Sequence, residues 1–367
     1  MSEINKITLE CHEGGSSKQY TMWIGEKDGG FTVDFNYGPI GGWVKPGTKT
    51  PKPVSREKAD AAYAALLKEK RAKGYVQGKD APAYSEVPEA VDSGVRPMLL
   101  TPDVEDNIDF YVTDAAWGGQ EKMNGKRILI KNNIVSVGVN KRGLECPIPV
   151  ELANVMKKFS GIFDGELIGT TYHVFDVLYT GADWSTKSKL DLPLKERWDL
   201  ADSIVNAIKS PLVRMVPLVT GSAAKLDLVK KLQEGRREGV VFKRLDGKYD
   251  PGRIENLKKA LAVKIKFYAE GQFAILKWNG AKMSVEVAAL DVGAGTFTSV
   301  GNVTVPQKYA DQIKVGALLR VKYLYATPGA KQLFQAKLDP TDDGIVIKTD
   351  SDVTQMKELK YEGKEEE

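Results

Sequence analysis

Residues 120–127, Gln-Glu-Lys-Met-Asn-Gly-Lys-Arg, set a lysine just ahead of a run rich in valine and isoleucine. Residues 128–139 predict a hairpin: Ile128, Leu129 and Ile130 on one strand, a turn at Asn132 and Asn133, then Ile134, Val135 and Val137. A lysine entering such a sheet is partly desolvated, which disfavours its ammonium form. The neutral amine is a nucleophile, so Lys122 is a candidate to attack phosphorus or a carbonyl carbon. Gly125 would let a second backbone approach closely, and Lys126 and Arg127 add positive charge. Taken alone, the stretch also fits a surface lysine before an ordinary hairpin.

Further along, carboxylates and lysines recur on strand-like segments. Phe163-Asp164-Gly165-Glu166 puts a carboxylate on an apolar strand, and Glu238 leads the β-branched run through Lys243. Residues 172–179 predict a buried strand with one acid and several aromatics. Residues 262–267 alternate, so Lys264 and Lys266 share a face opposite Val263 and Ile265. Two ammonium groups on one face of a cleft call for an anion, and a triphosphate supplies one. Two carboxylates nearby suit Mg²⁺, which takes carboxylate and phosphate oxygens together. Singly, each has a plainer meaning. Glu166 fits an edge acid, Glu238 a partner of Arg236 or Arg237, the lysine pair a solvated face, and Phe175 a core residue.

These groups need elements to position them. At 367 residues, two or three domains are expected. Lys and Arg number 53 against 49 Asp and Glu, and a net +4 is too small a bias to prove a polyanionic partner. Two cysteines (Cys11, Cys146) and two histidines (His12, His173) make a disulfide framework or an ordinary zinc site improbable. With no signal peptide and no long apolar run, a membrane partner is not expected and a cytoplasmic location is. Residues 4–45 predict strands with glycine-rich turns, and Ser55 opens a helix with a basic end near Gly74. Residues 77–96, rich in Pro, Ala, Ser and Glu, predict a linker. From Gly271 onward five short alternating strands, with a helical turn at 306–314, suit an OB-fold barrel.

In order, these stretches resemble the covalent nucleotidyltransferases, the superfamily of polynucleotide ligases and mRNA capping enzymes. Lys122-Met123-Asn124-Gly125 resembles their nucleophile motif, and Lys122 falls on the lysine that carries the nucleoside monophosphate. The resemblance implies adenine contact for Gln120 and a place in the nucleotide site for Glu121. Arg127 would meet the ribose or the 5′-phosphate of the substrate. Lys141, within Asn140-Lys141-Arg142-Gly143, stands where ligases usually carry arginine, and Arg142 beside it would reach nucleic acid. Glu166 and Glu238 match ribose- and metal-associated acids, Phe175 the purine-stacking aromatic, and Lys264 and Lys266 the phosphate-contacting pair. Asn124 departs from the aspartate usual in ligases, and Asp342-Asp343 with Lys337 and Lys348 is what remains of the closing motif. The first eighty residues resemble a WGR domain, a module that binds nucleic-acid ends and breaks. Tyr37 stands in place of its Trp and Pro39 in place of its Arg, with Trp43, Lys45, Lys49 and Lys52 available as compensating contacts.

The expected fold is α+β. It comprises a small WGR-like sheet-plus-helix domain (1–80), a linker (81–96), an ATP-grasp-like nucleotidyltransferase domain with antiparallel sheets (97–267), an OB-fold barrel (268–352) and a disordered acidic tail (353–367). The function implied is that of a monomeric ATP- and Mg²⁺-dependent DNA ligase sealing nicks in duplex DNA, in a bacterial or phage-infected cell. The alternatives are an RNA or hybrid ligase, a non-catalytic break-binding scaffold and, more remotely, a capping guanylyltransferase.

Overall fold

The computed structural model describes residues 3–11, 18–40, 44–72, 75–76, 91–133, 135–180, 189–327, 331–338, 347–348 and 353–361. Trp43, Gly74, Ile134, Asp342, Asp343 and the glycine turns near 14 and 329 lie outside these residues. Two compact units emerge: residues 1–228 with 241–264, and residues 229–240 with 265–367.

The first unit opens with a four-stranded antiparallel meander from Glu3–Cys11 to Lys45–Thr48. The helix Arg56–Ala72 packs on it through Ala59 and Leu66, which join Tyr20, Met22, Ile24 and Val33 in a small core. Lys70 and Arg71 end the helix, where cations suit its dipole.

Two further sheets follow. The larger has the strand order Glu145–Cys146, Ser136–Val139, Lys126–Asn132, Gly161–Ile168, Thr171–Thr180, Val213–Met215, antiparallel except for its last pair. The expected hairpin is present, but Asn132 is a buried strand residue opposite Ser136, so the turn falls beyond it. One face of this sheet, with Ile128, Ile130, Phe163 and Val174, is covered by the helices Val150–Met156 and Leu194–Ile208. The other face packs Leu129, Ile162 and Leu178 against Met98, Tyr249 and Ala262. The smaller sheet orders Thr101–Asp103, Ala262–Lys266, Gly239–Arg244 and Trp117–Glu121.

The end of the expected linker belongs to this fold. Ser93 is buried and Asp92 bridges Leu144, with Glu145 N donating to Val91 O at 2.8 Å. Edge pairing uses backbone groups that any composition carries, so a stretch with no hydrophobic period still docks.

In the second unit, Ala269–Trp278 pairs with Ser284–Asp291, which pairs with Thr296–Thr304; that strand meets Lys337–Leu338 in parallel. Lys337–Leu338 pairs with Leu318–Tyr323, which returns to Ala269–Trp278 and closes the ring. The expectation of a disordered tail is corrected for residues 353–361, while residues 362–367 lie outside the described residues. Met356, Leu359 and Tyr361 are buried in the barrel core, and Gln355 and Tyr361 bridge Leu290 and Ala326. Residues 353–361 carry two lysines and one glutamate, and three apolar residues among them suffice to dock the stretch.

Candidate active site

A cavity of about 250 Å³ opens in the first unit. Its wall is drawn from separate stretches of chain: Leu99 and Leu100, residues 120–123, Arg127, Lys141, Glu166, Phe175, Val241, Lys243, Arg253 and Lys264. Among the expected site residues, Gln120, Glu121, Lys122, Arg127, Lys141, Glu166, Phe175 and Lys264 therefore converge.

Lys122 follows the strand Trp117–Glu121, and its Nζ lies 3.5 Å from Met123 O. Gln120 is buried and donates to Val216 O at 3.2 Å. The lysine loop is pinned by Gly125 N, which donates to Glu166 Oε1 at 3.2 Å. A Cβ on Gly125 would stand 2.6 Å from Leu167 O, so the close approach anticipated for this glycine occurs. Lys141 and Arg142 are exposed on the turn after Ser136–Val139.

Arg127 lies opposite Glu166 in the register of the strands Lys126–Asn132 and Gly161–Ile168, but its guanidinium reaches diagonally to Asp164. Nε to Oδ1 is 3.1 Å and Nη2 to Oδ2 is 2.6 Å. Asp164 is fully buried and also accepts from the Tyr249 hydroxyl at 2.6 Å. Burial pushes the Arg127 guanidinium down, but the Asp164 charge overrides it and the net shift is upward. Burial pushes the Tyr249 phenol well up, and the Asp164 charge adds to it.

Phe175 owes its position to a β-bulge. Asp164 pairs with Asp176 and Gly165 with Val174, leaving Phe175 as the extra residue on its strand. A bulge breaks the two-residue alternation and re-aims a side chain. Val174 and Val177 accordingly face the helices, while Phe175 lines the cavity. Arg127 Cζ and Lys243 Nζ lie 5.2 and 4.4 Å from the Phe175 ring centroid. The next residue, Asp176, is locked by the buried Arg197, with Nε to Oδ1 at 2.8 Å and Nη2 to Oδ2 at 3.0 Å. Arg197 also donates to Leu192 O and Gly247 O.

Glu238 and Lys266 do not line this cavity. Lys266 Nζ is instead 2.8 Å from Glu238 Oε1 and donates to Gln335 Oε1 at 2.7 Å. Glu238 is buried and pairs with Lys266. Lys45 and Lys49 are exposed on the first sheet and the turn after it; Lys45 faces Tyr37 across the strands and Lys49 lies 3.5 Å from Glu69.

Several wall residues had not been singled out: Leu99, Leu100, Val241, Lys243 and Arg253. A signal for two of them was available. Strand alternation places Val241 and Lys243 on one face of Gly239–Arg244. Asp164 was likewise legible as the same-face neighbour of Glu166.

The wall carries Lys122, Arg127, Lys141, Lys243, Arg253 and Lys264 against two carboxylates, Glu121 and Glu166. Such a surplus of cations fits a polyphosphate. Magnesium is ordinarily held by one or two carboxylates with phosphate and water filling the rest. Glu166 and Glu121 fit that mode, and no group of three or more metal-ligating side chains occurs among the described residues.

Residues 5–82 match the WGR domain family. A DNA ligase of Methanocella arvoryzae is 30% identical over 134 residues, covering 35% of this chain and 23% of that protein. The chain thus matches under a quarter of that relative's length. Among solved structures, one from a structure-function study of Lig E DNA ligases aligns over 69% of this chain and 99% of its own, at 15% identity and a TM-score of 0.51. That likeness is one of fold. Mycobacterial DNA ligase D complexed with ATP and MES aligns over 73% of this chain and 98% of its own, at 18% identity and a TM-score of 0.41.

Proposed function

We propose that this chain is an ATP-dependent DNA ligase that seals 5′-phosphate/3′-hydroxyl nicks through a lysine-bound adenylate. The observation that carries the reading is the convergence of Lys122, Glu166, Phe175 and Lys264, from four distant segments, on one cation-rich cavity. Nζ of Lys122 attacks the α-phosphorus of ATP; a P–N bond forms, the P–O bond to pyrophosphate breaks, and the amine proton goes to solvent. The adenylate then passes to the 5′-phosphate of the nick, and the 3′-hydroxyl displaces AMP to close the strand. Most of the rate comes from positioning and electrostatics, as in phosphoryl transfer generally. Gly125 and Glu166 hold the lysine loop, Phe175 offers a face to the purine, and Lys264 meets phosphate oxygen. Glu166 would hold magnesium beside the nucleotide, and the ion would supply neutralisation of charge on the transferred group.

The closed ring of strands in the second unit supports an OB-fold that contacts duplex DNA. The WGR-like sheet, with exposed Tyr37 and Lys45, supplies a second contact to DNA. Incubation with ATP and magnesium should add the mass of AMP to the wild type, and Lys122→Ala should abolish that adduct. An adduct from GTP instead would indicate a capping enzyme, and none at all a binding scaffold. Asn124, where ligases usually have aspartate, makes sealing of RNA or hybrid nicks the second reading. Parallel assays on nicked DNA, RNA and hybrid duplexes decide between them.

A further inference from the structure

Lys243 is 4% exposed, yet its side chain forms part of the cavity wall. Among the described residues no hydrogen bond or ion pair holds its ammonium group; its close neighbour is the Phe175 ring at 4.4 Å. A buried cation without acceptors is costly. The acids that face it are already committed. Asp164, on Gly161–Ile168, is taken by Arg127 and Tyr249. Asp176, on Thr171–Thr180, is taken by Arg197 from the helix Leu194–Ile208 and by Val177 N. Glu166, the cross-strand neighbour of Arg127, adds its charge at that guanidinium, and neither Asp164 nor Asp176 gives Lys243 an acceptor. The side on which an acceptor can reach Lys243 is the cavity.

We propose that Lys243 receives an anionic phosphate oxygen of the bound nucleotide, and that nucleotide entry is coupled to proton uptake at this side chain. The inference rests on the nucleotide-binding reading of the cavity and adds a residue and a proton to it. Burial pulls the Lys243 ammonium down to about 8, with Asp176 and Asp164 opposing and Arg127 and Arg197 reinforcing that fall. The ligand-free group is then partly neutral in the range where the enzyme would work. A phosphate oxygen supplies the missing acceptor and favours the charged form. Glu121, Glu166, Lys122, Lys141, Arg253 and Lys264 also line the cavity, so the coupling has to be isolated at Lys243 itself.

The probe is α,β-methylene-ATP, whose α–β bridge is not cleaved, titrated calorimetrically into the full chain. At pH 8, runs in buffers of different ionisation enthalpy should give uptake of about half a proton per nucleotide. The dissociation constant should rise about tenfold per pH unit above 8. Lys243→Arg stays charged throughout, so its binding should be flat across pH 7.5–9.5 and near the wild-type affinity at the low end. Lys243→Met should be flat and weaker than wild type at pH 7.5, with circular dichroism confirming that both variants are folded. Zero uptake by the wild type, or a pH slope unchanged in a folded Lys243→Arg, overturns the role of Lys243 while adenylylation of Lys122 stands. Absence of nucleotide binding at every pH, with no AMP adduct, removes the ligase reading and this inference with it.

Discussion

Asp164 is the residue on which the buried half of the site depends. It takes two hydrogen bonds from Arg127 and one from Tyr249 with no exposed surface of its own. Removing one partner of a buried ion pair strands the other charge, at about 3–5 kcal/mol. Asp164→Ala should lose stability of that order in denaturant unfolding; a loss below about 1 kcal/mol would mean the pair is solvated. Lys243 acts in the opposite sense. Its folded-state value of about 8 lies below the ordinary 10.5, so the unfolded chain binds more protons between these values. Stability therefore rises with pH across that window, and the penalty is fully present below 8. Lys243→Met should stabilise the ligand-free protein by up to about 3 kcal/mol at pH 7. The gain should shrink as pH climbs toward 10.5, and melting curves of both proteins across pH 7–10 check it. An equal gain at every pH would assign the effect to packing.

At the scale of elements, the lysine loop is held by a backbone approach that only a glycine permits. A Cβ at Gly125 would stand 2.6 Å from Leu167 O, 2.7 Å from Ile168 Cγ1 and 2.9 Å from Glu166 Cγ. Gly125→Ala must push the strand Gly161–Ile168 away, at about 1–3 kcal/mol, and lengthen the contact from Gly125 N to Glu166. Formation of the AMP adduct should slow in this variant, while one at the exposed Gly169, whose Cβ meets nothing within 4 Å, should affect it far less. Comparable rates in the two would show that the approach has no part in catalysis. The bulge at Phe175 is the second device of this kind. It changes which residues of Thr171–Thr180 face the helices, and so frees one aromatic for the cavity.

At the scale of the molecule, the second unit closes its ring of strands and then seals it with the chain that follows. Met356, Leu359 and Tyr361 are part of the same core as Phe273, Val287 and Val321. Ending the chain at residue 352 would uncover that core and remove the bridges to Leu290 and Ala326. We expect a truncated chain to unfold the second unit at lower denaturant, as a separate early transition. A truncated protein with an unchanged unfolding curve would mean the tail contributes nothing to the barrel.

Much of this was legible in the residues themselves. Alternation marked the strands, turns such as Asp28-Gly29 and Asn279-Gly280 separated them, and the types and order of Lys122, Glu166, Phe175 and Lys264 singled out four residues that share a cavity, because residue type and spacing are local properties. Other features were not local. Phe175 faces the cavity because of a pairing slip with a neighbouring strand, which no pattern within its own strand encodes. Lys243 lacks an acceptor because Asp164 and Asp176 were claimed by Arg127 and Arg197 from elsewhere. Glu238 and Lys266 pair with each other outside the cavity wall. The sequence by itself determined which ionisable and aromatic groups were available; the tertiary structure decided which of them met in one cavity, since that depends on distances between segments far apart in the chain.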